Sequence, residues 1–162
     1  MADDRTKIIT QANIINRPLY FANLKVKYFY PDMPKLENKI GSNWIDLYTA
    51  EEESFLPGDF KLVPLGVGII LPEGCEAIIA MRSSTYKKYR ITQTNGIGII
   101  DNEYCGEEDQ WKLPVKAERF VTIPAHTRLC QFRILTNQPV IMFDTVDHLK
   151  DDSRGGFGST GN

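Results

Sequence analysis

The chain has 162 residues, 42% hydrophobic and 25% charged, with a formal net charge of −2; that is enough for one domain with a sizeable core, and it excludes a global basic field of the kind that binds DNA or RNA. Cys75, Cys105 and Cys130 are an odd number with no close pair, which argues against a disulfide framework or a Cys-rich zinc site and fits a reduced, cytoplasmic setting. No segment approaches the ~18 apolar residues of a membrane span, and no apolar run near the N-terminus reads as a signal peptide.

Residues 1–23 are weakly patterned, with Thr6 to Asn16 readable as a short helix or an extended arm. Leu24, Val26 and Tyr28 alternate with Lys25 and Lys27, which predicts a strand ended by Pro31 and Pro34. Trp44 to Tyr48 reads as a second strand, and Glu51 to Glu53 as a charged turn. Phe60 to Leu71 is mostly apolar, with Pro64 and Gly66 marking a bend. A turn at Pro72 to Cys75 leads into a buried strand, Glu76 to Met81. Ser84 to Arg90 is a short helix with Ser84 as its N-cap. Thr92 to Ile100 is strand-like but broken by Gly96 and Gly98; Asp101 to Gly106 is a turn, and Trp111 to Ala117 the return arm of a hairpin whose loop Glu107 to Gln110 widens. Arg119 to Ile123, Leu129 to Leu135 and Val140 to Phe143 are further strands. Many short strands with regular Gly and Pro punctuation indicate an all-β barrel or sandwich.

Several places along this frame could carry chemistry. Arg82, Ser83 and Ser84 stand at a strand-to-helix junction, where a cation and hydroxyls meet free N–H groups; the alternative is a capped helix with a surface arginine. Asp101 ends an apolar strand, so its carboxylate is expected to be partly screened from water and held in one place, fit to orient and deprotonate a water molecule. Tyr104 offers a flat face beside it; alternatively, Asp101 only stabilises its own turn. In Arg128-Leu-Cys-Gln131, strand alternation puts Arg128 with Cys130 on one face and Leu129 with Gln131 on the other, so that Gln131 needs partners among apolar neighbours. His126 and His148 have no second ligand at metal spacing. The last stretch, Arg154 to Gly161, holds Gly156, Gly158 and Gly161 at the G-x-G-x-x-G spacing, but only Asn162 follows, so no helix opens there as a dinucleotide site requires. It reads either as a mobile glycine-rich tail or as a closing flap in which Arg154 forks onto phosphate and Phe157 covers a flat ring.

Trp44-Ile-Asp-Leu47, Arg82-Ser-Ser84, Gly98 to Gly106, Arg128 to Gln131 and Arg154 to Gly161, in this order, resemble the five motifs of the homotrimeric dUTP pyrophosphatases (dUTPases), over about residues 24–161. The resemblance implies a jelly-roll-type β-barrel in a homotrimer with active sites at the subunit interfaces. It implies a core domain over 24–150, an N-terminal arm over 1–23 outside the match, and a flexible flap over 151–162. It implies hydrolysis of dUTP to dUMP and pyrophosphate, with Mg²⁺ held mainly by the substrate phosphates and no dedicated metal ligands.

Asp101 then matches the catalytic aspartate that aligns water against the α-phosphorus. Tyr104 matches the ring under the deoxyribose, and Gly98, Ile99 and Ile100 the arm supporting sugar and base; Asn95 stands where some members contact substrate. Arg82, Ser83, Ser84 and Gln131 match phosphate contacts, with Asp46 supporting them. Arg154, Ser159 and Thr160 match the γ-phosphate clamp, Phe157 the ring over uracil, and Gly158 lies between them. Trp44 departs from the glycine usual there, in a variant that looks like a Gram-positive bacterial and phage branch, and Glu107 to Gln110 is an insertion.

The implied partners are dUTP and further copies of the chain, with neither nucleic acid nor membrane. Phage members of the family bind host regulators, so a regulatory protein on this scaffold is one alternative. The other is dCTP deaminase, which shares the barrel and the Arg-Ser-Ser loop but needs a glutamate on the strand after the hairpin turn, where Trp111 to Ala117 offers only Lys112 and Lys116.

Overall fold

The structure is a computed structural model that describes residues 23–149. Eleven strands and one short helix follow in the order β1 (Lys25–Tyr28), β2 (Ile45–Tyr48), β3 (Glu53–Phe55), β4 (Phe60–Pro64), β5 (Val67–Ile70), β6 (Cys75–Met81), α1 (Thr85–Tyr89), β7 (Ile91–Gln93), β8 (Gly98–Ile100), β9 (Lys112–Ala117), β10 (Val121–Ile123) and β11 (Arg128–Thr136). They pair antiparallel as β2-β11-β6-β8, β4-β9-β7, β1-β5 and β10-β3. The all-β jelly-roll expectation holds. No helix among the described residues is long and apolar enough to cross a membrane.

Alternation builds the core. Val63, Leu65, Val67 and Ile69 of the β4–β5 stretch point inward with Leu113 and Val115 of β9, Leu47 of β2, and Leu129 and Phe132 of β11. Trp111, fully buried, sets its ring edge-on to Phe132 with centroids 5.2 Å apart, a favoured aromatic geometry. At the bend between β4 and β5, Gly66 has φ +68°, and a Cβ there would stand 2.5 Å from Met33 Sδ. Only glycine satisfies both the backbone and the packing at that point.

Five local expectations are corrected. Glu53, read as part of a charged turn, opens β3: Phe55 needs burial, Glu53 pairs with Lys61 at 3.1 Å, and Ser54 hydrogen-bonds Thr122 across β10 at 2.9 Å. The stretch from Thr92 to Ile100 is not one broken strand but two strands in different sheets, β7 beside β9 and β8 beside β6, separated by a turn with Gly96 at φ +67°. Consequently β9 is not the hairpin partner of β8; it lies between β4 and β7. Ser84 occupies the N-cap position but makes no capping side-chain bond, and Thr85 instead donates its hydroxyl to the Leu129 carbonyl at 2.7 Å. Finally, 140–143 forms no strand. Val140, Met142 and Phe143 are 96%, 88% and 91% exposed, and strand propensity alone forms no strand where none of the described strands pairs with the stretch. Thr6 to Asn16 lies outside the described residues.

Candidate active site

Cross-strand register creates one end of the site. Asp46 of β2, Gln131 of β11 and Ala80 of β6 stand in one row, and Arg82 follows immediately after β6. Asp46 accepts from both neighbouring guanidinium groups: its Oδ1 is 3.0 Å from Arg82 Nε and its Oδ2 is 3.4 Å from Arg128 Nη1. The carboxylate thus fixes two arginines whose remaining N–H groups face a cavity of about 250 Å³, lined also by Trp44, Tyr48 and Gln131. Trp44, the departure from the motif, lies under the Arg133 guanidinium at 5.8 Å. Two forked cations beside a polar amide, in a polar cleft, have the chemistry to take up an anion such as phosphate.

The motif around Gln131 is folded differently from simple alternation. The register slips between Arg128 and Cys130, a bulge that turns both Leu129 and Cys130 into the core. Arg128 and Gln131 thereby line the same cavity, and Gln131 is not inward among apolar neighbours as strand alternation predicts. Arg128 is the site residue that motif matching left without a role. Beneath it, burial and then the Asp46 carboxylate push the Cys130 thiol well up, which keeps it a packing residue. Ser83 and Ser84 are exposed at the start of α1, and Ser84 shares a second cleft with Arg82, Lys88 and Arg128.

The other end is built on β8. Gly98 is buried against β6, Ile99 is 65% exposed and Ile100 half-buried. Asp101 follows, and its Oδ1 accepts from the backbone N–H groups of Glu103 at 3.0 Å and Tyr104 at 3.1 Å. The carboxylate is therefore held, but it is exposed rather than screened as expected, and no described residue covers it. Its Oδ2 has no partner among the described residues. Tyr104 is 39% exposed and donates its hydroxyl to the Gln110 carbonyl at 3.2 Å, which spans the loop 105–110. Lys27 of β1 pairs with Glu107 and so ties that loop to the barrel. Asn95 is exposed in the β7–β8 turn.

The two ends do not meet in one chain. Ile100 pairs with Ala77 while Arg82 lies beyond the far end of β6, so about six residues of strand, roughly 20 Å, separate Asp101 from Arg82. Asp101 is absent from the cavity of Arg82 and Gln131. Arg154, Phe157, Gly158, Ser159 and Thr160 lie outside the described residues.

Among the described residues no cluster of three or more His, Cys, Asp or Glu could hold a metal. Asp46, the only acid in the row with Gln131, is already engaged by two arginines. A divalent cation here would need ligands beyond these residues, of the kind that phosphate oxygens supply.

Comparison with known proteins gives the family. The chain matches the dUTPase family model over residues 37–161. It is 44% identical over 138 residues to the SPbeta prophage-derived deoxyuridine 5'-triphosphate nucleotidohydrolase of Bacillus subtilis, covering 85% of this chain and 97% of that one. Among solved structures, the dUTPase of Staphylococcus bacteriophage 80alpha with dUPNHPP superposes with a TM-score of 0.70 at 17% identity, over 88% of this chain and all of that one. The dUTPase of phage phi11 of S. aureus, described as coordinating a structural Mg(II) ion, does so with a TM-score of 0.66 at 16% identity, over 78% and 98%. On the family match and the prophage relative, with the fold in accord, this chain belongs to the dUTPase family.

Proposed function

We infer that the chain hydrolyses dUTP to dUMP and pyrophosphate, and that its site is completed by residues from more than one copy. The observation that carries the second part is the division just described: a phosphate cleft at one end of β6 and a held carboxylate at the other. A reaction that needs both within reach of one triphosphate requires two chains. Exposed Val140, Met142 and Phe143 support the same assembly, since an apolar stretch of this kind calls for cover by another surface. The homotrimer is the closed form that supplies equivalent sites at each boundary.

In this reading Arg82, Arg128 and Gln131 bind the phosphates, with Ser83 and Ser84 beside them, and Asp46 keeps the two guanidinium groups aimed. Asp101 receives a water molecule on Oδ2 while Oδ1 stays fastened to its turn. It aligns that water with the α-phosphorus and takes its proton as the new P–O bond forms and the bond to the β-phosphate breaks. Mg²⁺, when bound with the triphosphate, supplies charge neutralisation. Tyr104 packs beneath the deoxyribose, and its ring, tethered to Gln110, leaves no room for a 2′-hydroxyl. Gly98, Ile99 and Ile100 support sugar and base. The flap over 151–162 closes on the bound triphosphate, Arg154, Ser159 and Thr160 reaching the γ-phosphate and Phe157 covering uracil, with Gly158 giving the close approach. Residues 24–150 form the barrel and 1–23 an arm. Three free thiols support a cytoplasmic setting for the enzyme.

The test is pyrophosphate release from dUTP beside dTTP, dCTP and UTP, with Mg²⁺. Fast release from dUTP alone is the expected result. Comparable rates with UTP would remove the role given to Tyr104. Deamination of dCTP is not expected, because β9 (KLPVKA) carries no acid to act on the amine.

A further inference from the structure

Gln93, the last residue of β7, has no role in the reaction as described, yet its amide joins two parts of the site. Its Nε2 donates to the Ile79 carbonyl at 3.3 Å and to Asn95 Oδ1 at 3.0 Å, while its Oε1 is buried with no partner. A backbone carbonyl can only accept. Turning the Gln93 amide over would set Oε1 against the Ile79 oxygen, so its orientation is fixed. The second Nε2 hydrogen then meets Asn95, which must present its own oxygen. Asn95 Nδ2 is left pointing away from Gln93 on an exposed turn, with no acceptor among the described residues. Gly98 makes the space: a Cβ there would lie 3.4 Å from Gln93 Nε2 and 3.2 Å from Ile79 Cβ. Leaving a buried oxygen unpaired is costly, and the arrangement keeps it so while directing the Asn95 donor outward.

We propose that Gln93 is a positioning residue for base selection, holding Asn95 with its N–H groups outward to donate to a carbonyl oxygen of the pyrimidine. The proposal rests on the dUTP reading above. β8 separates the Asn95 turn from Asp101 by about 10 Å, at roughly 3.3 Å per residue. With the α-phosphorus at Asp101, the turn therefore faces the base end of the nucleotide. At position 4 of the ring, an outward donor suits the uracil carbonyl and opposes the cytosine amine, donor against donor. Asparagine alone is ambivalent, because its two ends have nearly the same shape and a half-turn would offer oxygen to cytosine. Gln93 removes that freedom.

The test measures kcat and KM for dUTP, the inhibition constant of dCTP, and the melting temperature, all on the full chain. Gln93→Leu keeps the volume, deletes the orphan oxygen and frees Asn95 to turn. It should raise KM for dUTP about tenfold, with kcat little changed, and narrow the preference for dUTP over dCTP by a similar factor. Asn95→Asp keeps an oxygen toward Gln93 but has no donor to present. It should lose the same preference, and adding Gln93→Leu to it should cost nothing further. Equal weakening of dUTP and dCTP would assign Asn95 to sugar or phosphate and overturn the proposal. So would a Gln93→Leu protein that melts like its parent and keeps its KM and preference. If Gln93→Leu melts early, Asn95→Asp on its exposed turn decides: a narrowed preference supports the proposal and an unchanged one ends it. A parent chain that releases no pyrophosphate from dUTP would sink the functional reading and this proposal together; an active parent with unaltered variants sinks the proposal alone.

Discussion

At one end of β6, Asp46 grips Arg82 and Arg128, Gln131 stands in the same row, and described residues of a single chain line a cleft. At the other end, Asp101 is fastened by two backbone N–H groups but open to water, and Ile99 and Tyr104 present apolar surface that no described residue covers. The contrast fits the work proposed for each end. Phosphate oxygens are recognised by cations, and cations aimed in advance need carboxylate and amide partners that one sheet can supply. A sugar, a base and an attacking water need a dry enclosure, and three residues of β8 with one turn cannot enclose anything. In the function proposed above, assembly and substrate supply the missing walls.

The largest effect that would probe this contrast is at Asp101. Asp101→Asn keeps an oxygen to accept from Glu103 and Tyr104, so the turn survives, but the proton acceptor is gone. Turnover should fall by about 10²–10⁴-fold while dUTP still binds with Mg²⁺, as followed by pyrophosphate release and calorimetry. Mixing then sharpens the comparison. Arg82→Ala and Asp101→Asn proteins, each nearly inactive, should regain activity when unfolded and refolded together, because some sites then draw a sound Arg82 and a sound Asp101 from different chains. A mixture as inactive as its parents would mean that both groups come from one chain, against the ~20 Å that strand geometry puts between them. Next in size, removal of residues 154–162 should lower turnover by about 10²-fold, the scale of losing a preorganised charge on the triphosphate. Its sedimentation should match that of the parent.

Much of this was legible in the residues. Asp46, Arg82 and Gln131 are spread over 85 positions of sequence, and the family order of motifs brought them together before the β2-β11-β6 register did. The apolar run from Phe60 to Leu71, bent at Pro64 and Gly66, likewise marked the stretch from which Val63, Leu65, Val67 and Ile69 enter the core. Illegible features share one physical cause: they depend on a partner that local sequence does not name. The bulge at Leu129 reverses the facing of Gln131, and an alternation rule that assumes one residue per step has no way to register it. Trp111 to Ala117 has the look of a return arm, but β9 is claimed by β4 and β7. Val140 to Phe143 has strand propensity without a strand beside it. Asp101 was expected to be screened because an apolar strand precedes it, yet burial of Gly98 and Ile100 on the β6 side says nothing about what covers the turn beyond.

The smallest expected effect lies at the unfinished end. Tyr104→Phe keeps the ring that packs against the sugar and removes only the hydroxyl that donates to the Gln110 carbonyl at 3.2 Å. That hydrogen bond is exposed, so its loss should weaken the holding of the loop by about 0.5–1.5 kcal/mol at most. If the ring excludes a 2′-hydroxyl by shape alone, preference for dUTP over UTP should persist and kcat should change only a few-fold. If the tether to Gln110 is what keeps the ring in place, discrimination against UTP should fall while the rate with dUTP holds. Either result separates shape from positioning at Tyr104, a separation that the phosphate cleft, with its two arginines locked on one carboxylate, does not allow.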